Sequence, residues 1–144
     1  CNPDYQAFEA RHIMSLEDLI EVIKEAKTQF GIEGVTYSGG EPTCQQKLPL
    51  LTKEIKSLGL GVISFTGRMY EDVSEILEGC DVVLDGSFKE YLHETKRRLL
   101  GSKNQRIICL TERYKDCIDN WFADHNKVVE VSVGSKIIAN GDKF

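Results

Sequence analysis

From Ser15, apolar residues recur at three- and four-residue spacings through SLEDLIEVIKEAKTQF, where Leu16, Leu19, Ile20, Ile23 and Ala26 form one stripe. The spacing predicts an amphipathic helix, with Ser15 as N-cap, Asp18 in the first turn and Gly31 as the stop. Gly34-Val35-Thr36-Tyr37 then predicts a short strand that runs into Ser38-Gly39-Gly40-Glu41-Pro42, a turn too rich in glycine to continue either element. The alternation repeats. Leu48, Leu51, Ile55 and Leu58 predict a second helix closed by Gly59, and residues 61–66 a second strand. Tyr70, Val73, Ile76 and Leu77 predict a third helix ended by Gly79, followed by the strand 81–85, which ends in an acid. After a polar stretch, Ile107-Ile108-Cys109-Leu110 is a fourth candidate strand. A helix over 116–122 and two β-rich runs joined at Gly134-Ser135 close the chain as a helix and hairpin.

Nearly continuous apolar strands separated by helices call for a parallel sheet buried on both faces. The expected fold is therefore α/β, a partial (βα) barrel of parallel strands with flanking helices and a C-terminal helix and β-hairpin extension. With 144 residues, 41% of them hydrophobic, the chain can bury one core, and a single domain over 1–144 is expected.

Charge and cysteine usage narrow the classes. A net charge of -5 gives no global attraction to nucleic acid or to an anionic membrane. No apolar run approaches the roughly 20 residues that span a bilayer, so the chain reads as soluble and cytoplasmic. Five cysteines (Cys1, Cys44, Cys80, Cys109, Cys117), odd in number and without a CxxC pair, argue against a disulfide framework or a zinc finger. Cys80 and Cys109, beside or inside apolar strands, read as small buried hydrophobes. His12, His93 and His125 lack ligand spacing to any cysteine or acid, and Trp121 with Phe122 reads as an anchor for the last helix. A first residue of Cys1 suggests a start inside a longer reading frame.

In a parallel α/β sheet, ligands sit beyond the C-terminal ends of the strands, where Ser38-Gly39-Gly40-Glu41-Pro42 falls. Adjacent glycines bring backbone N–H and C=O groups close to a ligand, and Glu41 adds a carboxylate for an ammonium group. An amino-acid-like moiety suits this loop. A phosphate cradle does not, since the P-loop lysine and hydroxyl are absent. A plain turn would use the same residue types. Asp85, at a strand end, can cap the following turn, one of two readings for it.

The run VTYSGGEP resembles the strand and GGE loop of the radical S-adenosylmethionine superfamily. Leu84-Asp85-Gly86-Ser87-Phe88 and the segment GSKNQRII from Gly101 to Ile108 are similar to segments of anaerobic ribonucleotide reductase activating proteins. Phe65-Thr66-Gly67 and Asn2-Pro3-Asp4 resemble the same family, so that the likeness spans about residues 1 to 110. It implies S-adenosylmethionine and a 4Fe-4S cluster as cofactors. Ser38, Gly39, Gly40 and Glu41 would hold the methionine end, with Thr66 and Asp85 facing the cofactor from neighbouring strands. The cluster motif CxxxCxxC cannot be written in this chain. By the family's register Cys1 is either the third cluster ligand or the residue after it, and other ligands are expected upstream. The chain by itself is then expected to be catalytically inert.

For the intact protein the resemblance implies reductive cleavage of S-adenosylmethionine to a 5′-deoxyadenosyl radical, which takes a hydrogen atom from a partner's glycine. The implied partners are a glycyl-radical enzyme such as anaerobic ribonucleotide reductase and an electron donor such as flavodoxin or ferredoxin. Two other readings stay open: a small-molecule radical enzyme on the same core, and a degenerate, non-catalytic binding domain. The basic residues Lys96, Arg97, Arg98, Lys103 and Arg106 either dock an acidic partner surface or form a solvated loop.

Overall fold

A computed structural model describes the backbone over residues 13–123, 129–133 and 137–141, and side chains over 13–120. Cys1, Asn2-Pro3-Asp4, His12, His125 and the side chains of Trp121 and Phe122 lie outside the described residues. The elements are α1 (Leu16–Phe30), β1 (Gly34–Tyr37), α2 (Leu48–Ser57), β2 (Gly61–Phe65), α3 (Tyr70–Val73), β3 (Val82–Asp85), β4 (Arg106–Cys109), α4 (Lys115–Ala123), β5 (Val129–Val133) and β6 (Ile137–Gly141). Three single turns of 3-10 helix fall in loops, at Pro42–Cys44, Glu90–Leu92 and Glu112–Tyr114.

Ser15 caps α1 as its sequence predicts, accepting from the Asp18 N–H at 3.0 Å while its hydroxyl donates to the Asp18 carboxylate at 2.8 Å. Gly31 closes the helix at φ 63°, and its N–H bonds the Lys27 carbonyl. The third helix is shorter than its periodicity predicts: α3 is one turn, and residues 74–79 continue as turns. The apolar stripe survives because mixed bonds from Ile76 and Leu77 to the Val73 carbonyl still place Leu77 fully inside.

A four-stranded sheet runs in the order β1-β2-β3-β4. β1, β2 and β3 are parallel, in the registers Gly34↔Gly61 and Ile63↔Val82. β4 is antiparallel to β3, Asp85 facing Arg106, where a fourth parallel strand was expected. The physical reason is the connection. Parallel neighbours need a crossover, usually a helix, whereas residues 86–105 form a folded-back arm that returns the chain beside β3. β5 and β6 pair antiparallel as a separate two-stranded sheet, as the sequence predicts, while the expected join at Gly134-Ser135 lies outside the described residues.

β3 is buried along its whole length, as a central strand must be. On one face Tyr37, Val62 and Val83 meet Ile23, Leu51 and Ile55 from α1 and α2, with Leu77 beneath. On the other, Val82 and Leu84 pack with Ile63, Phe65 and Ile107 and with Tyr114 and Ile118. Tyr114 comes so close to the paired glycines that a Cβ at Gly61 would sit 2.0 Å from its hydroxyl, and one at Gly34 2.7 Å. These glycines exist to admit the ring. At the N-terminal end of the sheet Asp81, 1% exposed, accepts from Lys56, Thr111 and the Val62 N–H, and joins α2, β2 and the turn after β4. The opposite end carries the site.

Candidate functional site

Glu41 is the hub at the C-terminal end of the sheet. Its Oε1 accepts from the Thr43 N–H at 3.1 Å, the Thr43 hydroxyl at 2.7 Å and the Thr66 hydroxyl at 2.8 Å, and its Oε2 from the Gly67 N–H at 2.8 Å. It is at once the N-cap of the turn Pro42–Cys44 and the staple between the ends of β1 and β2. Burial pushes this carboxyl up, but the bonds from Thr43, Thr66 and the Gly67 N–H outweigh it and hold Glu41 below the usual glutamate value. It is therefore a carboxylate at neutral pH. A carboxylate offers about four lone-pair positions, and Oε1 uses three contacts, so further capacity lies at Oε2.

Beside it Ser38, Gly39 and Gly40 are exposed, and Gly39 takes φ 105° with nothing within 4 Å of where a Cβ would stand. An open backbone next to a fixed anion suits an ammonium-bearing ligand. Thr66 donates to Glu41 and accepts from the Arg68 N–H at 3.1 Å. It positions the acid. Arg68 also reaches Cys44, with Nη2 3.5 Å from the sulfur, so Cys44 does lie next to this network.

Asp85 is brought to the same end of the sheet but is turned inward. It is fully buried, accepts the Tyr70 N–H at 2.8 Å at the start of α3, and is gripped by Arg106 through Nε at 2.9 Å and through Nη2. Burial raises its pKa, and Arg106 with the Tyr70 N–H more than reverses this, leaving Asp85 below the ordinary aspartate value. The turn that it caps is the start of α3, which precedes it, and not the following turn expected from the sequence. The DGSF and NQR segments prove to be two halves of one clamp. Gln105 donates to the Gly86 carbonyl at 3.0 Å while its oxygen accepts from the N–H groups of Gly101 and Ser102, and Asn104 donates to the Ser87 carbonyl. Sequence reasoning missed Thr43 and Gly67 as partners of Glu41. Glu-Pro-Thr, an acid before a proline at the first helical position, was the available signal.

No three of His, Cys, Asp and Glu converge as a metal site among the described residues. Of the thiols described there, Cys80 is buried as expected, Cys109 is half-buried and Cys117 is exposed. An ionised carboxylate beside open glycine backbone suits the chemistry of an amino-acid ammonium group, and among the described residues no three thiols or other metal-binding groups gather to hold a cluster; Cys1 lies outside them.

Residues 1–108 match the family described as 4Fe-4S single cluster domain. The chain belongs to this family. Similar proteins include a probable GTP 3′,8-cyclase of Saccharolobus islandicus (strain M.14.25 / Kamchatka #1), 34% identical over 62% of this chain and 30% of its own length. Another is from Saccharolobus solfataricus (strain P2), 35% identical over 46% of this chain and 22% of its own length. A third, from Sulfolobus acidocaldarius, is 34% identical over 37% of this chain and 17% of its own length. The chain spans under a third of these relatives' length. No solved structure matches it. The family match and these relatives place the chain in the radical S-adenosylmethionine superfamily, whose cofactors are the 4Fe-4S cluster and S-adenosylmethionine. The relatives are described as probable cyclases rather than reductase activators, so the narrower likeness rests on the sequence segments DGSF, NQR, Phe65-Thr66-Gly67 and Asn2-Pro3-Asp4. No described helix is long and apolar enough to cross a membrane.

Proposed function

We propose that this chain is the S-adenosylmethionine-binding part of a radical enzyme that acts on a small molecule. The Glu41 network carries the reading: a carboxylate held ionised at the strand ends, beside the exposed Gly39-Gly40 backbone. The likeness to GTP 3′,8-cyclases supports a small-molecule substrate. Ser38, Gly39 and Gly40 present backbone groups to the methionine end, Oε2 of Glu41 takes the ammonium, and Thr43, Thr66 and Gly67 orient the acid. Asp85 does not touch the cofactor; it holds β3 and α3 in place through Arg106. Cluster and cofactor together would supply hydrogen-atom abstraction, which a closed-shell side chain cannot perform.

A second reading is the activation of a glycyl-radical enzyme such as anaerobic ribonucleotide reductase, favoured by the DGSF and NQR segments, which fold as one clamp. Either reading needs an electron donor such as flavodoxin or ferredoxin. In calorimetric titration of the full-length protein with S-adenosylmethionine, Glu41→Ala should weaken binding by about tenfold or more, in line with loss of a charge-assisted bond. Unchanged affinity would remove Glu41 from the site. Anaerobic reconstitution followed by reduction separates the two substrates: 5′-deoxyadenosine formed with GTP as co-substrate supports the first reading, and a glycyl-radical signal on a reductase supports the second.

A further inference from the structure

The arm of residues 86–105 is charged against the rest of the molecule. It holds five basic and two acidic residues, +3, while the remainder sums to -8. It is also built rather than loose. Its two limbs pair through the His93↔Ser102 bridge, the Lys103 N–H bonds the Leu92 carbonyl at 2.7 Å, and the Lys89 N–H bonds the Ser102 hydroxyl. At the tip Glu94 accepts from the N–H groups of Thr95 and Lys96 and from Arg97 Nε, while Arg97 bonds the carbonyls of Lys103 and Gln105. Arg97 and Arg106, two of the five residues of the basic stretch, are therefore structural braces. Among the described residues no carboxylate pairs with Lys89, Lys96 or Lys103.

Apolar side chains stand among these lysines. Tyr91 is 79% exposed and Leu99 49%. Leu99 adopts φ 65°, a left-handed backbone that costs energy in any residue with a Cβ, while its neighbour Leu100 is buried against β3. A braced arm that spends backbone strain to show leucine and tyrosine between unpaired lysines has the chemistry of a preorganised protein interface. A polyphosphate would find the Glu94 carboxylate in the cavity of about 310 Å³ beside Lys96 and Lys103, and would gain nothing from the apolar groups. The arm also adjoins the site. The Gly86 N–H bonds the Arg68 carbonyl at 3.0 Å, and the Arg68 N–H bonds Thr66, which holds Glu41.

We propose that the 86–105 arm docks a separate acidic protein that presents carboxylates around an apolar side chain, next to the strand ends that carry Glu41. This goes beyond the cofactor-binding reading and does not depend on it. The test is fluorescence anisotropy of the full-length protein with a labelled peptide of glutamates around a central phenylalanine. The peptide should bind, more weakly as salt rises, and should lose about tenfold in affinity when its phenylalanine becomes serine, the scale of a typical interface anchor. The variant K89E/K96E/K103E should lose at least as much. Leu99→Gly relieves the backbone strain, so it should keep or raise Tm while it weakens the peptide; undiminished peptide affinity in this variant would count against Leu99 as part of the surface. S-adenosylmethionine affinity should stay unchanged in these variants, whereas Glu41→Ala should spare the peptide. No peptide binding, equal binding of the phenylalanine and serine peptides, or stronger binding of inorganic tripolyphosphate would overturn the docking surface.

Discussion

Replacing Arg106 by methionine should cost more than the loss of a surface ion pair. Arg106 is 40% exposed, but its partner Asp85 is completely buried, and with the guanidinium gone Asp85 keeps only the Tyr70 N–H of its side-chain donors. Removing one partner of a buried pair costs about 3–5 kcal/mol; water entering from the open Arg106 side puts this site at the lower end, about 3 kcal/mol. For a domain of this size that is a fall in Tm of about 6–12 °C. The pH dependence gives the sharper test. In the wild type the Asp85 pKa is depressed, so its contribution is present above the unfolded aspartate value of about 4 and is lost as pH falls through the lower folded value. In Arg106→Met the pair is gone and burial dominates, so the folded pKa rises above the unfolded one and the variant recovers as Asp85 protonates. The gap between the two proteins should be widest at neutral pH and close in acid. Urea unfolding at neutral pH and near pH 4 measures both, and Asp85→Asn with Arg106→Met should cost less than Arg106→Met alone, because no unpaired charge is left inside. A deficit under about 1 kcal/mol at neutral pH, or one that does not change with pH, would refute the assignment of Asp85 as a structural clamp.

Three further outcomes are expected. Gly61→Ala should destabilise by about 2–3 kcal/mol, since the new methyl meets the Tyr114 ring, and adding Tyr114→Ala should cost less than the sum of the two changes, measured by chemical denaturation. Glu41→Gln should lower stability by about 1–2 kcal/mol at neutral pH; because the Glu41 pKa is depressed, its contribution exists above the unfolded value and fades as pH falls through the folded one, so wild type and variant should converge in acid melts. Burial pushes the Cys80 thiol up to about 12, so iodoacetamide followed by peptide mass mapping should find Cys117 alkylated and Cys80 untouched until urea is added. Equal labelling of both in the native protein would count against the packing of the first core.

Much of the local structure needed only neighbouring residues. Ser15, Asp18 and Gly31 delimit α1 because caps satisfy orphan backbone groups within one turn. The strand at 34–37 and its Ser-Gly-Gly-Glu continuation were legible because period and turn chemistry are local properties. The residues of the Glu41 loop could be named before the fold was seen. Its partners could not, since Thr66 and Gly67 lie far along the chain and meet Glu41 only when β1 and β2 pair in parallel register.

The direction of β4 shows the same boundary. Apolar runs at 82–85 and 107–110 look alike in either orientation, and the choice is made by an arm whose fold depends on Gln105 and Arg97 bonding distant backbone. For Asp85 the chain alone offered cofactor contact or a cap on the following turn, and its actual partners, Arg106 and the Tyr70 N–H of the preceding helix, come from segments 15 to 21 residues away. What the amino-acid order determined by itself was the helices, the strands and the chemical type of the loop, all set within a few residues. What the tertiary structure decided was the partners and the burial of each carboxylate, Glu41 half-buried among Thr43, Thr66 and Gly67 and Asp85 fully buried against Arg106, because desolvation and pairing exist only once distant segments have met.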